Sequence, residues 1–252
     1  MKFRIGSLAP LTLLFSLLAG TAGAEPVVLF DQGHGERFSI TQKTDLGISS
    51  LADTLRSEGL TVTGTDSPLS DRSLAGAAAL VLPGPFQALE AEEVEAVVRF
   101  VAGGGKLVVL LHISPPALPL LHRLGVAASN GVIHEPPGLE GRDTDFLVTS
   151  LERHPLAEGV ESFVVHGGWA ILPTQETARV IARTSAASWI DLNRDGKLSE
   201  RDARGPFAMV IAGTSGSGAF AILGDDAIFQ NRFLTGGNLR MARNLAAWIR
   251  GK

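Results

Sequence analysis

The stretch Glu92–Leu111, EEVEAVVRFVAGGGKLVVLL, is the clearest indication of the fold class in this sequence. Valine recurs at helical spacing in its first part, which predicts an amphipathic helix, and three consecutive glycines end that helix. The apolar run Leu107–Leu111 is typical of a strand buried on both faces of a parallel sheet. Because another apolar run, Ala77–Leu82, precedes the helix, the segment predicts a right-handed strand, helix, strand crossover.

The residues before this unit predict similar elements. The apolar run Val27–Phe30 indicates a buried strand that ends in a polar loop. The region Asp45–Ser57 then predicts a helix, which Gly59 stops. A short strand follows at Leu60–Thr63. These elements predict a mostly parallel sheet flanked by helices.

After Ser114 the pattern changes to short apolar runs separated by turns, which is typical of antiparallel strands. The last segment, Gly237–Arg250, has apolar residues on one helical face and predicts a terminal helix. The sequence therefore predicts an α/β fold with antiparallel strands added in the C-terminal half. The predicted short strands lie near residues 146–148, 163–165, 179–182, 207–212 and 219–223.

Residues 1–24 have the pattern of an export signal. Lys2 and Arg4 precede the apolar run Leu11–Leu18, and the small residues Ala22–Ala24 form a processing site. The apolar run is shorter than the ~20 residues that span a bilayer, so we expect cleavage rather than a retained anchor. Residues 25–252 are then expected to form one periplasmic or secreted domain without membrane insertion.

The composition excludes several classes of function. The 252 residues contain no cysteine, so disulfides, thiolate metal sites and a cysteine nucleophile are all excluded. The formal net charge of −4 comes without a basic stripe, and we expect no nucleic-acid partner.

The strongest local motif is the run DLNRDGKLSERD at residues 191–202. Side-chain oxygens stand at positions one, three, five and twelve and glycine at position six, as in loops that bind Ca²⁺. The motif resembles the EF-hand loop and, with aspartate at position twelve, its dockerin version, although strands rather than helices flank it. Its selectivity over Mg²⁺ stays open, and the alternative is a solvated hairpin turn. The predicted ligands are the side chains of Asp191, Asn193, Asp195 and Asp202 and the backbone carbonyl of Lys197.

A second candidate site lies where apolar strands end. Asp31 and His34 follow the first predicted strand, and His112 follows the strand of the opening stretch. His166 and Trp169 follow another apolar run. Because ligands of open α/β sheets bind outside the carboxyl ends of the strands, we expect these five side chains to line one ligand-binding crevice. The alternatives are hydrogen-bonded structural histidines and a core tryptophan.

No catalytic residue is predicted. Ser114 follows a buried strand, but Ile113 and Pro115 flank it in place of the glycines of a nucleophile elbow. The run GTSGSG at residues 213–218 lies between two predicted strands and indicates a hairpin turn. The histidines have no short metal-binding spacing such as H-E-x-x-H.

Three segments carry a family resemblance: LFDQGHG at residues 29–35, the stretch at residues 92–111, and GDD at residues 224–226 with the asparagines that follow it. They are similar to an uncharacterised family of class I glutamine amidotransferase-like domains. The resemblance implies a flavodoxin-like sheet with helices on both faces. Amidotransferases of this fold carry a cysteine at the elbow, where this chain has His112–Ser114, so the resemblance implies a fold that has lost its ancestral chemistry.

These inferences predict an exported, non-catalytic module that binds a small ligand, a glycan or an envelope protein and that one Ca²⁺ stabilises. The alternative is a metal-dependent hydrolase acting on a cell-envelope or carbohydrate substrate. In that alternative His34, His112 and His166 bind the metal and Asp31 orients one of them.

Overall fold

The computed structural model describes residues 24–251 as a mixed α/β fold. The predicted export signal lies outside the described residues, apart from Ala24. Within the described range, no helix is long and apolar enough to cross a membrane.

The N-terminal half alternates strands and helices, and the C-terminal half consists mostly of strands. The first elements are β1 (Val27–Asp31), α1 (Ser49–Ser57), β2 (Thr61–Thr65), β3 (Ala77–Pro83), α2 (Ala91–Ala102), β4 (Lys106–Leu110), α3 (Leu118–Arg123) and β5 (Val126–His134). The next strands are β6 (Asp145–Val148), β7 (Ser150–Leu151), β8 (Phe163–His166), β9 (Trp169–Pro173), β10 (Ala178–Arg183), β11 (Trp189–Ile190), β12 (Ala203–Arg204), β13 (Ala208–Ser215) and β14 (Gly218–Leu223). The last element is α4 (Gly236–Arg250).

A parallel core confirms the mixed α/β class. The strands β2, β1, β3, β4 and β14 lie side by side in that order, and each neighbouring pair is parallel. The apolar run of β4 is buried on both faces, because Leu107 to Leu110 are all 0% exposed. Helix α2 covers one face and α1 and α4 contribute to the core on the other, so both faces are shielded from water.

Antiparallel strands extend this core. The order continues from β14 through β13, β9, β5 and β11 to β12. The run at residues 219–223 was expected among antiparallel strands, yet β14 pairs antiparallel with β13 and parallel with β4. Strand β14 therefore joins the parallel core to the antiparallel strands. The tight β13–β14 hairpin makes it antiparallel to β13, and its other edge pairs with β4.

Helix α1 begins at Ser49, later than the predicted start at Asp45. The amide of Asn231 holds the preceding residues in a turn, since its Nδ2 donates to the Thr44 carbonyl at 2.7 Å and its Oδ1 accepts from the Ser50 N–H at 2.8 Å. A distant side chain therefore caps this helix, and local patterning does not reveal such a contact.

The longer elements that the sequence did not predict are α3, β5 and β9, and the two-residue strands β7 and β12 were not predicted either. Prolines interrupt the helical pattern of α3, and the polar run Ser129–Gly131 interrupts the apolar pattern of β5. Tertiary pairing with β9 and β11 keeps β5 extended despite these residues.

Candidate functional site

The candidate site lies at one edge of the parallel core. Parallel strands end at the same edge, so the loops after β1, β2, β3, β4 and β14 come together there. Asp31 ends β1, His112 follows β4, and Asp225 and Asp226 follow β14.

A buried hydrogen-bonded group, which we call the His34 network, consists of Asp31, His34, Glu36 and Glu93. The Nδ1 atom of His34 lies 2.6 Å from Asp31 Oδ2, and its Nε2 lies 3.0 Å from Glu93 Oε2. The backbone N–H of His34 donates to Glu36 Oε2 at 2.8 Å. Asp31 is fully buried, and His34 and Glu93 are each 7% exposed. Both ring nitrogens of His34 are therefore occupied by carboxylates.

Glu93 connects this network to two further segments. Its Oε1 accepts from the Leu69 N–H in the loop before β3, and its Oε2 accepts from the Glu90 N–H at the start of α2, both at 2.8 Å. Glu90 and Glu93 form a capping box at that helix terminus. The network thus holds three loops of the site together.

The pKa values of His34 and Glu36 in this network are strongly raised. The hydrogen bond to Asp31 raises the pKa of His34 to about 9, although burial alone would lower it. Burial raises the pKa of Glu36 to about 7, and the nearby Asp31 carboxyl adds to this shift. The Oε1 atom of Glu36 is buried and has no hydrogen-bond partner. Perturbed, buried ionisable groups of this kind cluster at functional sites.

The distances within the His34 network fit hydrogen bonds between its side chains better than a zinc site. Asp31, His34 and Glu36 each offer an atom within 4.8 Å of the others. Two atoms bound tetrahedrally to one zinc ion at about 2.1 Å lie about 3.4 Å apart. The 2.6 Å separation of His34 Nδ1 and Asp31 Oδ2 is much shorter and is typical of a charge-assisted hydrogen bond.

His112 belongs to a second polar group at the same edge. Its Nδ1 lies 3.1 Å from Asp226 Oδ1, and this hydrogen bond raises the pKa of His112. Burial raises the pKa of Asp226, whose Oδ2 atom is buried without a partner. The imidazole is partly exposed and contacts the rings of Phe38 and Phe86, with centroids 5.3 and 4.9 Å away.

Trp169 and His166 both contact neighbouring elements at this edge. The indole N–H of Trp169 donates to the His112 carbonyl at 2.9 Å and so ties β9 to the end of β4. The His166 ring stacks on Phe233 and lies 3.3 Å from Asp145 Oδ2. Its backbone N–H donates to Asp225 Oδ2 at 2.7 Å.

The five predicted crevice residues are thus only partly brought together. Asp31 contacts His34, and Trp169 contacts His112. The two groups are linked through Phe86, whose backbone N–H donates to the His34 carbonyl and whose ring contacts His112. The three histidines each bond a different aspartate, and no group of three metal-ligating side chains within residues 24–251 contains two of them. The three-histidine metal site is therefore not supported by this geometry.

The sequence analysis did not identify four residues that make contacts at this edge: Glu36, Phe86, Glu93 and Asp226. A signal existed for two of them. The E-x-x-E spacing of Glu90 and Glu93 marks a capping box, and Asp226 directly follows a buried strand. Glu36 and Phe86 lie in irregular loops, where no periodicity marks the side chains that turn inward.

The hairpin loop, residues 191–202, lies between β11 and β12, which pair antiparallel, so its predicted hairpin location is confirmed. Gly196 has φ +73°, as a sharp turn at position six requires. Asp191 accepts from the N–H groups of Arg194 and Gly196, and Asp202 from those of Leu192 and Ser199. Among the described residues, the three aspartates of this loop do not offer oxygens all within 4.8 Å of one another. Ion binding would require the oxygens of these carboxylates to come closer together.

Ser114 is not placed for nucleophilic attack. It is 1% exposed, and its hydroxyl donates to the Ser129 carbonyl at 2.7 Å. A short 3₁₀ turn, Pro115–Ala117, follows it in place of a strained elbow.

The loops at this edge enclose a space of about 200 Å³. It adjoins His34 and Glu93 and opens to solvent, where its rim is polar. The exposed polar residues of the rim are Asp66, Ser67, Gln87 and Glu90.

Comparison with known proteins places this fold in a class. The parallel core, the antiparallel extension and the loops at the carboxyl edge fit a glutamine amidotransferase-like fold. The chain belongs to the family described as a domain of unknown function (DUF4350), whose model matches residues 40–246. No curated protein matches this sequence.

Solved structures share the fold at low sequence identity. The structure called "mmIFT52 N-terminal domain" is 17% identical with a TM-score of 0.73, and the alignment covers 90% of this chain and 98% of that one. A ThuA-like protein from Bacteroides uniformis is 15% identical with a TM-score of 0.55, covering 91% and 93%. A ThuA-like protein from Parabacteroides merdae is 12% identical with a TM-score of 0.53, covering 90% and 91%. At these identities the likeness concerns the fold alone.

Proposed function

We propose that this chain is an exported, non-catalytic recognition module that binds a small polar ligand at the carboxyl edge of its parallel core. The main support for this proposal is the space between the loops after β1, β2 and β3. His34 and Glu93 of the His34 network form part of its wall. Buried, mutually bonded charges hold this wall in one conformation, and a preformed wall reduces the entropy cost of binding.

The topology supports this location. In the sheet, β1 lies between β2 and β3, so the connection from β2 to β3 passes over β1. The strand order therefore reverses at β1. Open α/β sheets bind ligands at such a switch point. The N–H groups of Phe86 and Gln87 both donate to the His34 carbonyl at 2.9 Å, which fixes the loop after β3 against the loop after β1. We also infer that the parallel half is flavodoxin-like, because the order of its first four strands is the one typical of that fold.

The charge of the rim favours a neutral or cationic ligand. Asp66 and Glu90 are exposed at the opening, and Glu93 lies behind them. His34 carries the compensating positive charge, but both of its ring nitrogens are already bonded to carboxylates. An anionic ligand would meet the acidic rim without a free donor of opposite charge. A sugar or amine could donate hydrogen bonds to these oxygens.

The position after β4 supports recognition rather than acyl transfer. Ser114 is buried and donates its proton to a backbone carbonyl, and the sequence has no cysteine. A glutamine amidotransferase nucleophile would occupy this place, and this supports an amidotransferase-like fold that is retained without its reactive group.

Two further parts of the proposal rest on the sequence. The basic and apolar pattern of residues 1–24 supports export to the periplasm or secretion, and recovery of the uncleaved chain in washed membranes would contradict it. The spacing of residues 191–202 and the turn at Gly196 support one Ca²⁺ bound in the hairpin loop.

The ligand proposal can be tested with three sugars that share one ring and differ in charge. Glucosamine and glucose are expected to raise the melting temperature of the purified chain, and glucuronate to have no effect, because the rim is acidic. The variant Gln87→Ala removes an exposed hydrogen-bonding group of the rim and is expected to abolish the shift.

Gln175→Ala is the matched control, since Gln175 is an exposed glutamine near the β13–β14 hairpin at the opposite edge. It is expected to keep the response to glucosamine. Stabilisation by glucuronate alone, or an equal loss of response in the two variants, would refute the assignment of this site.

A further inference from the structure

A second cavity lies in the antiparallel half, apart from the carboxyl edge. It has a volume of about 430 Å³, within the range of about 300–1,000 Å³ typical of small-molecule sites. Its walls come from β5, β9, β10 and β13 and from the base of the hairpin loop, and it shares no residue with the space next to His34.

The pairing between strands is incomplete next to this cavity. Strands β9 and β13 share a single residue pair, Ile171 with Ala208. The pairing of β5 with β9 is irregular between Ala128 and Val132, where the Ser129 hydroxyl accepts the Ala170 N–H. A loosened ladder with small side chains leaves room that a regular sheet would fill. The alanines among the lining residues are Ala127, Ala128, Ala170, Ala203 and Ala208.

The lining combines apolar walls with one cation. Arg183 is the only ionisable residue among the fifteen that line the cavity. It is half-buried, and none of the ion pairs found within residues 24–251 involves it. An arginine that is not paired with a carboxylate retains its capacity for bidentate binding of an anion.

Large apolar side chains are exposed at the mouth. Leu172 is 61% exposed and Leu192 is 45% exposed, and both line the cavity. Leu192 belongs to the hairpin loop, so the loop forms part of the entrance. Apolar surface left in water next to a cavity is a feature of sites that an apolar partner covers.

We propose that this cavity binds an amphipathic monocarboxylic acid, such as a medium-chain fatty acid, with its carboxylate on Arg183 and its apolar chain between the alanine-lined walls. The apolar walls account for the ligand body, and the uncompensated guanidinium selects the charge of the head group. A neutral or cationic amphiphile would leave the half-buried Arg183 without its counterion.

The test is a fluorescence titration of the purified chain with dansyl-labelled undecanoic acid, followed by displacement with dodecanoate, dodecanol or dodecyltrimethylammonium below their micellar concentrations. We expect saturable binding and displacement by dodecanoate at the lowest concentration. Arg183→Gln is expected to raise the Kd of the probe at least about tenfold, because a charge-assisted hydrogen bond is lost. It is also expected to remove the preference for dodecanoate over dodecanol.

Two further variants control this test. Arg183→Lys keeps the charge and is expected to retain the preference for the acid. Arg179→Gln changes an exposed arginine of the same strand that lies outside the cavity, and it is expected to bind the probe like the unaltered chain. Absence of saturable binding, displacement by dodecanol as good as by dodecanoate, or equal effects of the Arg179 and Arg183 changes would each overturn the proposal.

Discussion

The His34 network and the hairpin loop both gather carboxylates around hydrogen-bond donors, but they differ in burial and in the source of the donors. Asp31 is fully buried and bonds an imidazole that a second carboxylate also bonds. In the loop, Asp195 is exposed, and the donors are mostly backbone N–H groups of the loop itself. Similar residue types thus brace the fold where they are buried and remain open to exchange with solvent or an ion where they are exposed.

The largest effect is expected from His34→Ala. This change leaves Asp31 and Glu93 buried without their shared partner, and removing one member of a buried ion pair costs about 3–5 kcal/mol. We expect the free energy of unfolding, measured by urea denaturation, to fall by that amount. Arg99→Ala is the control, because its ion pair with Asp71 is exposed to solvent and contributes little to stability. Equal losses in the two variants would mean that the network does not brace the fold.

The pH dependence of stability separates the two regions further. The folded-state pKa of Glu36, about 7, lies above its ordinary 4.5, so its stabilising contribution is complete below pH 4.5 and is lost as the pH rises through 7. The folded-state pKa of His34, about 9, lies above 6.5, so its contribution is complete below pH 6.5 and is lost as the pH rises through 9. We expect stability to fall between pH 5 and pH 9, by about 1–2 kcal/mol for each group after allowance for solvent screening.

Urea denaturation at pH 5, 7 and 9 checks this prediction. Glu36→Gln is expected to flatten the lower part of the profile and to leave the loss between pH 7 and pH 9. A profile that rises with pH in the unaltered chain would show that these groups do not titrate as the network requires.

The smallest effect is expected in the hairpin loop. Millimolar Ca²⁺ is expected to raise the melting temperature by about 2–4 °C, which corresponds to about 1 kcal/mol for a chain of this size. The double change Asp191→Asn with Asp195→Asn is expected to abolish this shift and to alter the stability without calcium by less than about 0.5 kcal/mol. Asp71→Asn is the control at an exposed aspartate elsewhere. An unchanged melting temperature of the unaltered chain in millimolar Ca²⁺ would contradict the calcium site.

Part of the candidate site was predictable, because strand ends can be read from local patterns. Asp31, His34 and His112 follow apolar runs, and the shared edge of a parallel sheet brings their loops together. The pairing of His34 with Glu93 was not predictable, since it depends on where the first turn of α2 lies relative to the loop after β1. The three histidines also lie beside different aspartates, and no local pattern revealed these partners, so the sequence left the three-histidine alternative open.

Local sequence patterns are enough to predict the parallel core, helix α2 and the location of the hairpin loop, because burial on two faces, helical periodicity and turn residues act over a few neighbouring positions. The start of α1, the direction of β14 and the burial of Glu93 follow instead from tertiary contacts. Each of these depends on a partner far away in the chain: Asn231 for α1, strand β4 for β14, and His34 for Glu93. Such contacts form only when the folded backbone brings distant segments within hydrogen-bonding distance, and no local pattern of residues records which segments will meet.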